Sequence, residues 1–368
     1  MIATKNFVAP SKVHTKTRIA YIDQIKNFLT CLVVAHHAAQ AYGPTGGVWV
    51  VNDTQRASWL GQFFFINASY MMGLYFFISG YFMVFSVMRK SNKQFAVDRL
   101  KRLGIPLLFF TFLVFLPFNY FSADTDQNVF RFFTDTYFNH PPIATGHLWF
   151  VASLLVYSFI YLAFFRRLFS RTHHENRPFK LRYVIIYIIL LTIISSIVRL
   201  KFPIDEWHTW LIPIEVAHLP QYLSLFLIGA CFNHYGWLDK LTSKMGLGFL
   251  FIAISAYLTR EVLPTTISNY WIMESLIESL LCVGISIALL TFFRQYINQS
   301  NSLSLSFSAN AYGVYLFHLL IVIALQVAIL KWEINANIKF IFVTVSAILL
   351  SYFVTALLRR IEWVRGII

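Results

Sequence analysis

Lys26 and His37 stand eleven residues apart in an otherwise apolar stretch. At about 100° per residue this spacing offsets them by only about 20° around a helix, and at about 1.5 Å per residue it separates them by about 16 Å along the axis. One helical face would therefore carry a cation near its start and an imidazole near its end. A neutral imidazole shielded from bulk water can take a proton from a hydroxyl nucleophile near neutral pH, which is the work of a general base. The plainer account has Asp23 pairing with Lys26 one turn on, Lys26 reaching back to lipid headgroups, and His37 hydrogen-bonding a neighbouring helix.

Other polar residues lie where apolar ones dominate. Glu274 and Glu278 are four apart on one helical face, and two like charges so placed call for a raised pKa, a basic partner or a wet cavity. Tyr315 and His318 are one turn apart, and His147 and Trp149 open another apolar stretch. Arg99 and Arg102, at i and i+3, would present two guanidinium forks suited to phosphate. Gly73, Ser79 and Gly80 suit close helix packing. No metal site is expected: His140 and His147 are split by a proline pair, His173 and His174 lie in a basic loop, and Cys31, Cys231 and Cys282 all fall in apolar stretches. A Gly-rich phosphate loop and a G-x-S-x-G elbow are both missing.

The elements that must position these residues follow from composition. Of 368 residues, 58% are hydrophobic and 12% charged, about half the charge of a typical soluble domain. An ordinary soluble enzyme is excluded, and a bilayer is the natural solvent. Apolar stretches long enough to cross it lie near 22–42, 63–88, 104–121, 147–165, 183–200, 218–235, 247–263, 271–293, 311–331 and 338–358. The fold expected is all-α and polytopic, with about ten transmembrane helices. With the N-terminus inside, 22 of the 30 Lys and Arg fall on the inner side, so both termini are expected to be cytoplasmic. The net charge of +14 then reports topology rather than nucleic-acid binding. Residues 1–21 form a cytoplasmic segment without a signal-peptide apolar core, 22–358 the membrane domain and 359–368 a cytoplasmic tail.

Four segments occur in order: Tyr21-Ile22-Asp23 with Lys26 and then His37; Phe76-Phe77-Ile78-Ser79-Gly80; Arg99-x-x-Arg102-x-x-x-Pro106; and Tyr312-Gly313-x-Tyr315-x-x-His318. Together they resemble acyltransferase family 3, polytopic membrane enzymes that modify surface and secreted glycans. The resemblance covers roughly 18–358 and is closest to a stand-alone branch that includes glucan succinyltransferases and O-antigen O-acetyltransferases. Two departures are visible: Lys26 stands where the family usually has Arg, losing the planar fork, and the Phe-Phe/Ser-Gly segment is one residue shorter.

The resemblance implies a bacterial cell-membrane O-acyltransferase of the cell envelope that moves a short acyl group, acetyl first, from cytoplasmic acyl-CoA to a glycan hydroxyl. Acyl-CoA would be a co-substrate; the glycan or lipid-linked glycan and membrane lipids would be the other partners. Lys26, Arg99 and Arg102 would hold the donor and His37 would be the base, with Lys26 also in the catalytic set; Glu278 is added to that set from its own position in an apolar stretch, as a group that orients the base or the acceptor. His147, Trp149, Tyr315 and His318 would lie on the acceptor side. The alternative from another class is a proton-coupled exporter of a lipid-linked sugar with His37, Glu274 and Glu278 as its relay. An exporter should show two related halves with interrupted helices, and the sequence has no such symmetry.

Overall fold

The computed structural model describes residues 19–44, 49–123, 125–140, 145–169, 177–210, 212–268 and 270–368. Most of the expected inner segment 1–21 and the pair His173-His174 lie outside the described residues. The chain is an all-α bundle of long helices: α1 (Ala20–Ala39), α2 (Leu60–Met88), α3 (Asn92–Ser122), the short α4 (Val129–Asn139), α5 (Gly146–Phe169), α6 (Leu181–Arg199), α7 (Leu219–Tyr235), α8 (Ser243–Val262), α9 (Trp271–Tyr296), α10 (Ser302–Ala328) and α11 (Ala336–Leu358). Each of the ten apolar stretches coincides with one of the long helices. Eight of these, α2, α3, α5, α6 and α8–α11, are long and apolar enough to cross a membrane. The protein is thus a multi-pass membrane protein. Of the other two, α1 carries Asp23, Lys26 and two His, and α7 has 17 residues.

Successive long helices alternate direction, and side-chain bonds tie their ends together in two layers. At one end, Gln24 Nε2 donates to the Gln299 carbonyl (2.9 Å), Arg166 to that of Lys90 (3.1 Å) and Arg294 to that of Leu238 (2.7 Å); this is called the basic end below. At the other end, Trp59 Nε1 donates to Asn337 Oδ1 (2.7 Å), and Lys339 pairs with Asp53 (2.7 Å) with both side chains buried. Here, the expected outer loop 122–146 contains α4, and a hairpin of β1 (Trp207–Thr209) and β2 (Pro213–Glu215) pairs antiparallel, with Trp207 opposite Glu215. These two three-residue strands are the only strands among the described residues, and the fold is all-α as expected.

The tightest packing is between α2 and α7. A Cβ on Gly80 would lie 1.8 Å from the Phe226 carbonyl oxygen, and one on Gly229 2.0 Å from that of Phe77. Reciprocal glycines let the two backbones touch, which is the packing role the sequence suggested for Gly80. In α3, π-helical turns at Leu100–Gly104 and Phe110–Phe115 shortly precede Pro106 and Pro117. Proline lacks an N–H for the carbonyl four residues back; for Pro106 that carbonyl belongs to Arg102, and the widened turn accommodates the ring.

Candidate functional site

Three histidines from three helices meet at the end opposite the basic one. His37 lies in the last turn of α1, His147 at the start of α5 and His318 sixteen residues into α10. His318 is fully buried and His147 nearly so, whereas His37 is half-buried. His318 Nε2 is 3.1 Å from His37 Nδ1, and its ring centroid is 4.7 Å from that of His147.

The hydrogen bonds fix the tautomers of a neutral pair. His318 Nδ1 is 2.6 Å from the Tyr315 carbonyl, and a carbonyl only accepts, so Nδ1 carries the proton and Nε2 offers a lone pair. His37 Nδ1 is 3.0 Å from the Val33 carbonyl and also faces that lone pair. It must therefore be the donor to both. His37 Nε2 is left as an unprotonated nitrogen, with no hydrogen bond among the described residues. This is the arrangement a general base requires.

The ring is also held from behind. Trp49 lies 5.9 Å from it, centroid to centroid, and Trp49 Nε1 donates to Gln326 Oε1 (2.8 Å). The buried Gln326 amide in turn donates to the Ala38 carbonyl (3.0 Å) and to the His37 carbonyl (3.4 Å), which also accepts from the Gln40 amide, in the last turn of α1. Neither Trp49 nor Gln326 was singled out from sequence; a lone Gln in the apolar run of α10 was the only signal. His36 faces elsewhere, packing on Phe64 at 5.1 Å, so the two neighbours are not equivalent.

Tyr315 donates its hydroxyl proton to the His147 carbonyl and so locks α5 to α10 beside the imidazoles. Trp149 turns away from them, stacking on Tyr222 (5.6 Å, 25°) and meeting Trp207 edge-on (5.6 Å, 70°). The structure thus brings together four of the expected residues, His37, His147, Tyr315 and His318. Among the described residues no group of three or more His, Cys, Asp or Glu could hold a metal ion.

At the basic end Lys26 pairs with Asp23 (2.6 Å), as the plainer reading has it, and lies 5.1 Å from the Phe82 ring. Arg99 donates to Ser86 Oγ (3.1 Å), one turn along α2 from Phe82, so Lys26 and Arg99 share one end of α2. The Arg102 guanidinium is exposed; its carbonyl, the one Pro106 cannot bond, accepts from Tyr312 Oη (2.8 Å). The Arg102–Pro106 spacing and Tyr312 are therefore parts of one contact. Between the two ends, Thr30 and Tyr75 share a hydrogen bond (2.6 Å) above the Lys26 carbonyl, and Tyr75 and Tyr315 both pack on Phe150.

Glu278 belongs to a separate buried cluster. It is ion-paired with Arg199, and His218 Nε2 lies 3.8 Å away. Arg199 also donates to Ser275 Oγ (3.2 Å). His218 is 3.0 Å from Glu215, whose other oxygen accepts from the Asp205 amide (2.9 Å) on a left-handed turn with φ of 66°. Burial pushes the Glu215 carboxyl up, but the His218 imidazole and the Asp205 amide outweigh it and hold the group below its usual range. Glu278 thus has the basic partner its sequence demanded. No contact among the described residues joins it or Glu274 to His37.

An all-α membrane bundle with an imidazole cluster at one end and a cationic face at the other defines the class of protein. A model of the acyltransferase-domain family matches residues 19–357, and the chain belongs to that family. It is similar to the glucans biosynthesis protein C of Shigella dysenteriae serotype 1 (strain Sd197), with 23% identity over 312 residues that cover 81% of this chain and 80% of that one. Identity and coverage are the same for the proteins of that name in Escherichia coli strains UTI89 / UPEC and K12 / DH10B. No solved structure matches the chain.

Proposed function

We propose that this membrane acyltransferase moves a short acyl group, acetyl first, from acyl-CoA to a hydroxyl of a glycan, with His37 as the general base. Family membership and relatives named for glucan biosynthesis support the reaction class and the acceptor. The observation that carries the role of His37 is its Nε2, left unprotonated by the bonds of Nδ1 on a half-buried side chain.

In this reading the basic end is cytoplasmic. Lys26, Arg99 and Arg102 attract the CoA phosphates there, and the acyl-pantetheine arm extends along the Thr30–Tyr75 face toward the histidines. The acceptor oxygen attacks the thioester carbonyl, its proton passes to His37 Nε2, and the carbon–sulfur bond breaks. The departing thiolate takes the proton back, which leaves His37 ready for another turnover. His318 and Tyr315 position the base. His147 faces the acceptor, Trp149 lies outside the cluster against Tyr222 and Trp207, and Glu278 supports the acceptor side through Arg199 and His218.

The test is transfer of radiolabelled acetyl from acetyl-CoA to a glucan in membranes holding the wild-type protein, His37→Ala or His36→Ala. Loss of transfer in His37→Ala alone is expected; equal transfer by wild type and His37→Ala would remove the role of His37.

A further inference from the structure

A cavity of about 190 Å³, lined by none of the three histidines, opens between α2, α6, α7 and α9. Its wall is apolar apart from a few atoms, with Val184, Ile228 and Val283 typical of it. Water is not retained in such a space. The outer face of α6 exposes Ile185, Ile186, Ile189, Leu190, Ile193 and Ile197, so the cavity adjoins a surface solvated by lipid chains.

The mouth of the cavity at the basic end is built differently. Tyr183 and Trp237 stack there (5.6 Å, 22°), and Trp237 Nε1 donates to the Arg177 carbonyl (2.9 Å). Aromatic side chains of this kind favour the headgroup level of a membrane. Around them, the Arg177 guanidinium lies over Tyr235 (5.2 Å) and that of Arg182 over Tyr183 (5.4 Å), with Lys180 exposed beside them. Helix α6 starts at Leu181 without a side-chain cap, the Tyr183 amide bonding the Lys180 carbonyl (2.9 Å), so its positive dipole end lies beside these cations.

One polar atom on the wall is incomplete. Ser286 is 7% exposed, and its hydroxyl has no hydrogen-bond partner among the described residues. Gln221 meets Cys282 (2.9 Å) and Tyr187 meets Ser224 (2.9 Å); Ser286 is one turn from Cys282 toward the basic end, hence level with Ser224 and Tyr187. Tyr187 is six residues, about 9 Å, from the first residue of α6. An unsatisfied donor at that depth, an apolar channel and a cationic mouth together describe one kind of occupant.

We propose that this cavity binds an anionic glycerophospholipid: the phosphate at Lys180, Arg182 and the start of α6, one acyl chain in the cavity, and an ester carbonyl accepting from Ser286 Oγ. The site is independent of the proposed acyl transfer, since it shares no residue with the histidine cluster or the Lys26/Arg99/Arg102 face.

Native mass spectrometry of the purified full-length protein, with phosphatidylglycerol or phosphatidylcholine added, tests it. One phosphatidylglycerol is expected to survive activation that strips phosphatidylcholine. Lys180→Gln/Arg182→Gln should weaken its retention about tenfold or more, as two surface cations next to a phosphate predict. Leu225→Trp, which fills the cavity, should abolish it. Equal retention of the two lipids, or unchanged retention in a folded Leu225→Trp protein, overturns the proposal. If Leu225→Trp does not fold, the surface double variant decides alone, and wild-type retention in it is equally fatal.

Discussion

His318 Nε2 lies 3.1 Å from His37 Nδ1, while the other His318 nitrogen is committed to the Tyr315 carbonyl at 2.6 Å. The Tyr315 carbonyl on α10 thereby joins the Val33 carbonyl on α1, 3.0 Å from the same nitrogen of His37, in fixing which nitrogen of that residue is free to accept a proton. Because the instruction passes through a lone pair, a side chain that only accepts should replace His318 in part. On the proposed mechanism, His37→Ala should lower acyl transfer by about 10²–10⁴-fold, the usual contribution of a general base. His318→Ala should cost less, and His318→Gln, whose amide oxygen can still accept from His37, should recover part of that loss. Turnover measured across pH separates the cases: a shifted pH profile in His318→Ala marks loss of positioning, whereas a uniform drop at every pH would mark mere misfolding.

Donor binding is tested at the opposite end. Lys26→Ala and Arg102→Ala each remove one positive charge from the proposed phosphate site, so KM for acetyl-CoA should rise several-fold while kcat changes little. The effect should fade at high salt, because exposed charges are screened. Steady-state kinetics at low and high ionic strength would show it; a fall in kcat with constant KM would place these residues elsewhere in the cycle.

Tyr312→Phe isolates the link between α10 and the first π-helical turn of α3. It removes the hydrogen bond from the Tyr312 hydroxyl to the Arg102 carbonyl, which is exposed, at a cost of about 0.5–1.5 kcal/mol. Thermal unfolding in detergent should move down accordingly, and KM for the donor should rise with it because the Arg102 turn loosens. An unchanged melting temperature and KM would show that water replaces the phenol.

Much of this was legible in the sequence, for identifiable reasons. The ten long helices announce themselves because apolar runs near 20 residues have few other uses. Asp23 and Lys26 could be paired from their spacing, since neighbours on one helix have their geometry fixed by the helix itself. Gly80 was readable as packing, although its partner Gly229 was not. Contacts between helices far apart in sequence were not readable: nothing in α6 says that Arg199 will meet Glu278 of α9, and nothing marks Gln326 as the residue that closes the end of α1. The hairpin at 207–215 escaped because its strands are three residues long, below the length at which alternation can be seen. The π-helical turns escaped too, although Pro106 and Pro117 were their visible cause.

The α2–α7 crossing sets a stability prediction that is independent of chemistry. Gly229→Ala would force a methyl group against the Phe77 carbonyl at 2.0 Å, and backbone cannot yield as a side-chain tip does. Overpacking of this kind costs about 1–3 kcal/mol or more, and the melting temperature should fall. Gly248→Ala, where a Cβ meets nothing within 4 Å, is the matched control and should leave it unchanged or slightly raised.

The Arg199–Glu278 pair separates a structural carboxylate from a catalytic one. Removing one partner leaves a buried charge uncompensated, so Arg199→Met and Glu278→Met should each destabilise the protein by about 3–5 kcal/mol. The double variant removes both charges, and its stability should recover toward wild type, since an apolar pair of similar volume fills the same space. Acyl transfer in the folded double variant then assigns the role. If Glu278 acts only through Arg199 and His218 to hold the acceptor side, activity should return together with stability. If stability returns and transfer stays absent, the carboxylate itself takes part in the reaction, and the support role drawn from its contacts fails.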